Sequence, residues 1–180
     1  FETAQKLLKR IQRLDPSAKW VKLALEDAKH GNLINEIEAR RAAKDSATVE
    51  SLYRQLLLIA PNIPEYYLRA GLFQHNIKQY QKAIDIYLKG LQVDPKNSDL
   101  YAALGLVYLS KKNAALAQQA FSDALKFNSH NPDALAGLGS VAILNTNLAE
   151  ADRYILQSLA IDPKNIVALS SLGNLRMIQK

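Results

Sequence analysis

The chain has 180 residues, 48% of them apolar and 22% charged, and a net charge of +6. This is an ordinary balance for a folded, water-soluble domain, and the absence of cysteine excludes disulfides, thiolate metal sites and a cysteine nucleophile. No apolar run exceeds that of Leu56–Ala60, which falls far short of the ~20 residues that a membrane-spanning helix needs.

The sequence begins at Phe1 without a methionine, already inside a helical pattern, and reads as a piece of a longer protein. No signal peptide is visible, and cytoplasm and bacterial periplasm both suit a chain without cysteine. Ala4, Leu7, Leu8, Ile11 and Leu14 form one stripe, which predicts a helix over 1–14. Lys6, Lys9, Arg10 and Arg13 share the opposite face. No aromatic residues interleave with them as a nucleic-acid platform would need, so a solvated helix face is the favoured reading. Asp15-Pro16 ends this helix, because the residue before a proline is pushed out of the helical region. A second helix is expected over 18–29, with Trp20, Leu23 and Ala24 inward, and His30-Gly31-Asn32 reads as its turn. A third, irregular helix is expected over 33–43, with a thin stripe of Leu33, Ile34 and Ile37. A fourth runs from Asp45-Ser46 to about Ala60, with Ser46 as its expected N-cap.

From Pro64 the chain repeats itself. Pro64–Asn97, Ser98–Asn131 and Pro132–Asn165 are three blocks of 34 residues that fall into step. Tyr67, Tyr101 and Leu135 align, as do Gly71, Gly105 and Gly139, then Ala83, Ala117 and Ala151, then Tyr87, Phe121 and Ile155. Each block predicts a helix, a short turn and a second helix. First helices are expected at about Pro64–Asn76, Asp99–Lys111, Pro132–Asn145 and Ile166–Ile178. Second helices are expected at about Tyr80–Val93, Ala114–Phe127 and Leu148–Ile161. The prolines fit a first helical turn, and Ser98 is the expected cap of the helix after it. Gly71, Gly105, Gly139 and Gly173 recur at one place in their helices. Glycine there costs about 0.5–1 kcal/mol against alanine, so its recurrence predicts a steric need, with a partner helix too close for a β-carbon.

Tyr101, Leu104, Gly105, Tyr108, Ala117, Phe121 and Ala124, with Pro95 and Pro163 closing two blocks, resemble the tetratricopeptide repeat. The resemblance implies an all-α, right-handed superhelical solenoid of antiparallel helix pairs, about eleven helices in all. It divides the chain into an irregular segment over 1–60 and a regular array over 61–180. That array holds three full repeats (64–97, 98–131, 132–165) and the first helix of a fourth over 166–180. The N-terminal third departs from the pattern. Pro16 precedes Trp20 by four residues, whereas Pro61 and Pro95 precede Tyr67 and Tyr101 by six. The frames set by Trp20 and by Val49, Tyr53 and Leu56 both claim 33–43, which is therefore expected to be an unpaired or shared helix.

No catalytic motif is present: there is no phosphate loop, nucleophile elbow or zinc-protease signature, and His30, His75 and His130 lie far apart. The chain is expected to be no enzyme and to hold no metal or cofactor. What remains is surface. The resemblance implies that four positions of each first helix face the concave side. These are Glu65, Leu68, Leu72 and His75; Asp99, Ala102, Leu106 and Leu109; Asp133, Ala136, Ser140 and Ile143; Val167, Ser170, Asn174 and Met177. The groove so defined has an apolar centre and an acidic edge of Glu65, Asp99 and Asp133. Related repeats that hold the acidic tails of heat-shock chaperones use Lys, Arg and Asn there. Leu68, Leu72, Asp99 and Ala102 stand in those places here, which disfavours that use. A protein or peptide partner, in the form of an amphipathic or basic helix, suits the groove better. The expected function is a non-catalytic interaction scaffold in a larger assembly, such as bacterial secretion or surface-polysaccharide export. The alternatives are a regulatory or assembly arm of a larger enzyme and an RNA-binding repeat, the last disfavoured. Self-association through the groove, or through a C-terminal helix with no second helix after it, is the other arrangement left open.

Overall fold

The structure is a computed structural model that describes residues 19–179, with side chains from Ala28 onward, and Lys6, Lys9, Arg10 and Arg13 nearer the N-terminus. Those four residues are helical and exposed, as a solvated basic face would be. The other expectations for 1–18, including the break at Asp15-Pro16, lie outside the described residues. The chain divides into two units, with the boundary between Pro61 and Asn62.

The first unit contains α1 (Lys19–Ala42) and α2 (Ser46–Ile59), packed against each other. Two expected helices, over 18–29 and 33–43, are one: α1 runs through His30-Gly31-Asn32 for 24 residues. Gly31 keeps a negative φ. A single interior glycine costs a helix about 1 kcal/mol, too little to break one that continues on both sides. Residues 33–42 are therefore not unpaired; they are the last turns of α1, and Ile37 is buried. Asp45, rather than Ser46, caps α2, its carboxylate accepting from the Thr48 N–H at 3.2 Å. The hydrogen bonds from Thr48 hold the Asp45 carboxyl below its usual pKa.

The second unit contains α3 (Pro64–Asn76), α4 (Tyr80–Val93), α5 (Ser98–Ser110), α6 (Ala114–Phe127), α7 (Pro132–Leu144), α8 (Leu148–Ile161) and α9 (Ile166–Ile178). All nine helices of the described residues are α, with no strand among them. Each first helix packs on the second helix of its own pair and on the first helix of the next. Prolines open α3 and α7 as expected. Asn97 rather than Ser98 caps α5, accepting from the Leu100 N–H at 3.1 Å. Ser98 instead donates to the Ala124 carbonyl at 3.0 Å. One pair later the same joint is made in reverse. Pro132 has no hydroxyl, and Ser158 donates to its carbonyl at 2.7 Å.

The turn inside each pair is one geometry used four times. Lys44, Lys78, Lys112 and Thr146 have φ of 57°, 62°, 59° and 59°, each 34 residues after the last. Around Lys78, its own N–H bonds the His75 carbonyl at 2.9 Å, and the Gln79 N–H reaches back to Gln74 at 2.8 Å. This is the double bond pattern that satisfies the last carbonyls of a helix. Lys44 and Asp45 repeat it onto Arg41 and Arg40 at 3.0 Å each. The 34-residue register thus reaches back to the end of α1, and α2 stands where α4, α6 and α8 stand in their blocks.

Three of the four recurrent glycines have the steric reason expected of them. A β-carbon on Gly71 would lie 2.2 Å from the Tyr87 ring, on Gly105 2.5 Å from Phe121 and on Gly139 2.7 Å from Ile155. Tyr87, Phe121 and Ile155 are fully buried. Gly173 does not fit the rule: nothing lies within 4 Å of its would-be β-carbon. No helix of the described chain packs on that side of α9.

Candidate functional site

The groove residues lie along α3, α5, α7 and α9, which are neighbours in that order. Leu72 and Met177 are 46% and 68% exposed, large values for apolar side chains. Leu68, Leu106, Leu109, Ile143, Val167 and Ser140 are half-buried, while Glu65, Asp99, Asp133, Ser170 and Asn174 are exposed. Leu106 and Leu109 pack on the core around Phe121, and Ile143 and Val167 on that around Ile155. Ala102 and Ala136 have no surface to offer, at 2% and 0% exposure. Their small side chains let neighbouring helices close over them.

The structure brings Leu109, Ser140, Ile143 and Asn174 to one cleft of about 440 Å³, together with Leu144, Ile166, Val167 and Ser170. Its walls are apolar and its hydroxyls and amide supply donors and acceptors. The Ser140 and Ser171 hydroxyls bond each other at 2.7 Å across α7 and α9, holding the two helices at a fixed spacing there. Leu68, Leu72 and His75 lie two repeats away along the array and are not part of this cleft. At the end of α3, His75 Nε2 is 2.8 Å from Ser110 Oγ on α5, and Tyr80 meets the ring edge-on. Burial pushes the His75 pKa below its usual value.

The acidic edge is tied into the framework. Glu65 pairs with Arg69 at 2.8 Å. Asp99 accepts from Asn131 Nδ2 at 2.7 Å, and Asp133 from Asn165 Nδ2 at 2.6 Å. Asn131 and Asn165 are buried, and each also caps its own helix. These asparagines were missed among the candidate residues. The signal was present, since Asn97, Asn131 and Asn165 close the three blocks at one position. Among the described residues no group of three His, Cys, Asp or Glu is placed to hold a metal ion. No helix among them is long and apolar enough to cross a membrane.

Helices paired by short turns and stacked pair on pair make this an all-helical solenoid. Two family models of the tetratricopeptide repeat match the chain, over residues 64–97 and 86–119. Over residues 64–119 the chain is built of tetratricopeptide repeats. Comparison with curated protein sequences finds no relative. Among solved structures it is similar to PilF of Pseudomonas aeruginosa, at 21% identity and a TM-score of 0.67, with 98% of this chain and 76% of that chain covered. A tetratricopeptide repeat protein from Parabacteroides merdae gives 18% identity and a TM-score of 0.68, with coverage of 98% and 66%. The first repeat domain of RPAP3, solved with the HSP90 peptide SRMEEVD, gives 24% identity and a TM-score of 0.56, with coverage of 64% and 92%.

Proposed function

We propose that this scaffold for protein–protein contact binds an amphipathic helix along α3, α5, α7 and α9, with an apolar anchor in the Leu109–Ile143–Val167 cleft. The cleft carries the reading: it has room for a large side chain, apolar walls and polar groups at its mouth, the makings of a binding hot spot. The exposed Leu72 and Met177 extend the apolar track on either side. A basic flank on the helix suits the carboxylates of Glu65, Asp99 and Asp133, each of which keeps exposed surface. The HSP90-peptide mode of the RPAP3 domain is disfavoured for this chain, because Leu68, Leu72, Asp99 and Ala102 offer an acidic tail no cation. We place the scaffold in a larger assembly, of the kind found in bacterial secretion or surface-polysaccharide export; isolation of the native protein free of any complex would remove that setting.

The test uses fluorescence anisotropy with two probes, a Leu/Lys amphipathic helix and an acidic peptide ending in EEVD. Ser170→Trp fills the cleft from an exposed position and leaves the core untouched. The basic helix is expected to bind wild type more tightly than the acidic peptide does. Ser170→Trp is expected to weaken it at least tenfold, about 1.4 kcal/mol. Equal binding to both proteins would remove the cleft from the reading.

A further inference from the structure

The cleft walled by α5, α7 and α9 is chemically unlike the apolar track that leads to it. Ser140 and Ser171 line it where α7 meets α9, with Ser170 and Asn174 beside them on α9. Among the described residues no charged side chain lines it. The acidic edge stops short of α9, which carries Val167 at the position of Glu65, Asp99 and Asp133. On α3 and α5 the positions of Ser170 and Asn174 hold Leu68, Leu72, Ala102 and Leu106, whose side chains cannot hydrogen-bond. The α9 wall is held in place from within the array. Val167 packs on the core around Ile155, and the Ser171 and Ser140 hydroxyls bond each other at 2.7 Å.

These walls decide what can enter. A charged side chain would lose its hydration against walls with no counter-charge. A purely aliphatic one would strip water from the hydroxyls and the amide and put nothing in its place. Two serine hydroxyls hold two protons and four lone pairs between them, so Ser140 and Ser171 keep acceptor capacity that only a donor satisfies. A volume of about 440 Å³ has room for a ring. The side chain that meets these conditions has an aromatic body and an uncharged donor at its tip.

We infer that the anchor seated in this cleft is a tyrosine, with its ring against Leu109, Ile143 and Val167 and its hydroxyl among Ser140, Ser171 and Asn174. This tyrosine rests on the basic amphipathic helix proposed for the groove, and it names the residue that such a helix carries at its anchor. The partner's chemistry is thus specified along the whole array. Basic side chains meet the carboxylates on α3, α5 and α7, and an uncharged phenol meets α9, where the carboxylates end. Selection is by exclusion as much as by attraction, because phenylalanine, leucine and glutamate each leave a group in the cleft without a partner.

The probe is one labelled Leu/Lys helical peptide in four versions, with Tyr, Phe, Leu or Glu at the anchor position. Each is titrated with the whole chain, with Ser140→Ala/Ser171→Ala/Asn174→Leu, with Asn174→Leu alone and with Ser170→Trp. Ser140 and Ser171 are replaced together so that neither hydroxyl is left without the other. Asn174 is exposed, so the single variant is expected to melt as wild type does. Wild type is expected to bind the Tyr version about fivefold more tightly than the Phe and Leu versions, and the Glu version most weakly. The triple variant is expected to bind the Phe and Tyr versions equally, and Asn174→Leu alone to narrow the gap. Equal binding of Tyr, Phe and Leu versions to wild type, with loss in Ser170→Trp, overturns the tyrosine and leaves the groove as a helix site. A Tyr preference unchanged in Asn174→Leu and in the triple variant overturns it as well. If no version binds, the helix proposed for the groove falls and the tyrosine with it. If light scattering shows wild type self-associating and Ser170→Trp monomeric, a second copy fills the cleft and the tyrosine-bearing partner falls.

Discussion

Asn131 Nδ2 donates to Asp99 Oδ1 at 2.7 Å, across 32 residues of sequence, while Asn131 Oδ1 accepts from the Ala134 N–H at 2.9 Å. One buried amide thus caps α7 and ties it to the start of α5. Removing it loses a cap, worth ~0.5–2 kcal/mol, and the inter-repeat bond with it. Asn131→Ala is expected to destabilise by about 2 kcal/mol and Asn97→Ala by less, because Asn97 Nδ2 bonds Asp94 within its own loop. Chemical denaturation checks both. Asn131→Asp separates the two roles: it keeps the cap but sets a carboxylate against Asp99. One of the two carboxyls then has a raised folded pKa. The variant should regain stability as pH falls through the carboxylate range, and a pH-independent deficit would refute the pairing.

The recurrent glycines make opposite predictions at equivalent places. Phe121 is held between one of them and a further glycine, since a β-carbon on Gly105 would lie 2.5 Å from its ring and one on Gly137 2.2 Å. Gly105→Val and Gly137→Ala are expected to destabilise by about 1–3 kcal/mol through overpacking. Gly173→Ala has open space and gains helix propensity, so it is expected to stabilise by about 0.5–1 kcal/mol. Thermal melts of the three variants decide. The same sign for Gly105 and Gly173 would mean that the packing account is wrong.

Tyr87 and Phe121 occupy the same register, and both are fully buried. The Tyr87 hydroxyl has no hydrogen-bond partner among the described residues, and its burial drives the phenol pKa far above the usual value. An unsatisfied buried hydroxyl costs ~1–3 kcal/mol, and the chain already shows that phenylalanine fits such a socket. Tyr87→Phe is therefore expected to stabilise by about 1 kcal/mol. A destabilised variant would show that the hydroxyl is bonded in solution.

The regular array was legible because glycine, alanine and the aromatic residues are forced by close approach, and close approach recurs at a fixed period. The N-terminal register was not. Its marker is a left-handed turn at Lys44, and in this chain those turns hold Lys, Lys and Thr at later positions instead of glycine. Gly31, which looked like a turn, is helical because one glycine cannot outweigh the flanking turns. Caps were misjudged by one residue at Asp45 and Asn97, since both neighbours in each pair can cap and only the backbone path chooses. The groove positions follow from the repeat, but whether each side chain is free does not. Ala102 is covered by its neighbours, and Asp99 is committed to an asparagine one repeat on.

His75 gives the groove a pH signature whose sign can be worked out. Ser110 Oγ lies 2.8 Å from His75 Nε2 and 3.0 Å from the Leu106 carbonyl, which ties the ring to the end of α5. Burial lowers the folded pKa from the ordinary 6.5, against the pull of the α3 C-terminal dipole on a cationic ring. The unfolded chain takes up its proton first on acidification. The stabilising contribution is thus full above pH 6.5, declines as pH falls through the folded pKa, and is constant below it. His75→Gln preserves a hydrogen-bonding group for Ser110 and removes the titration. The difference in melting temperature between wild type and His75→Gln should shift against wild type from pH 7 toward pH 5, and a difference constant over that window would show that burial does not set the ring's protonation.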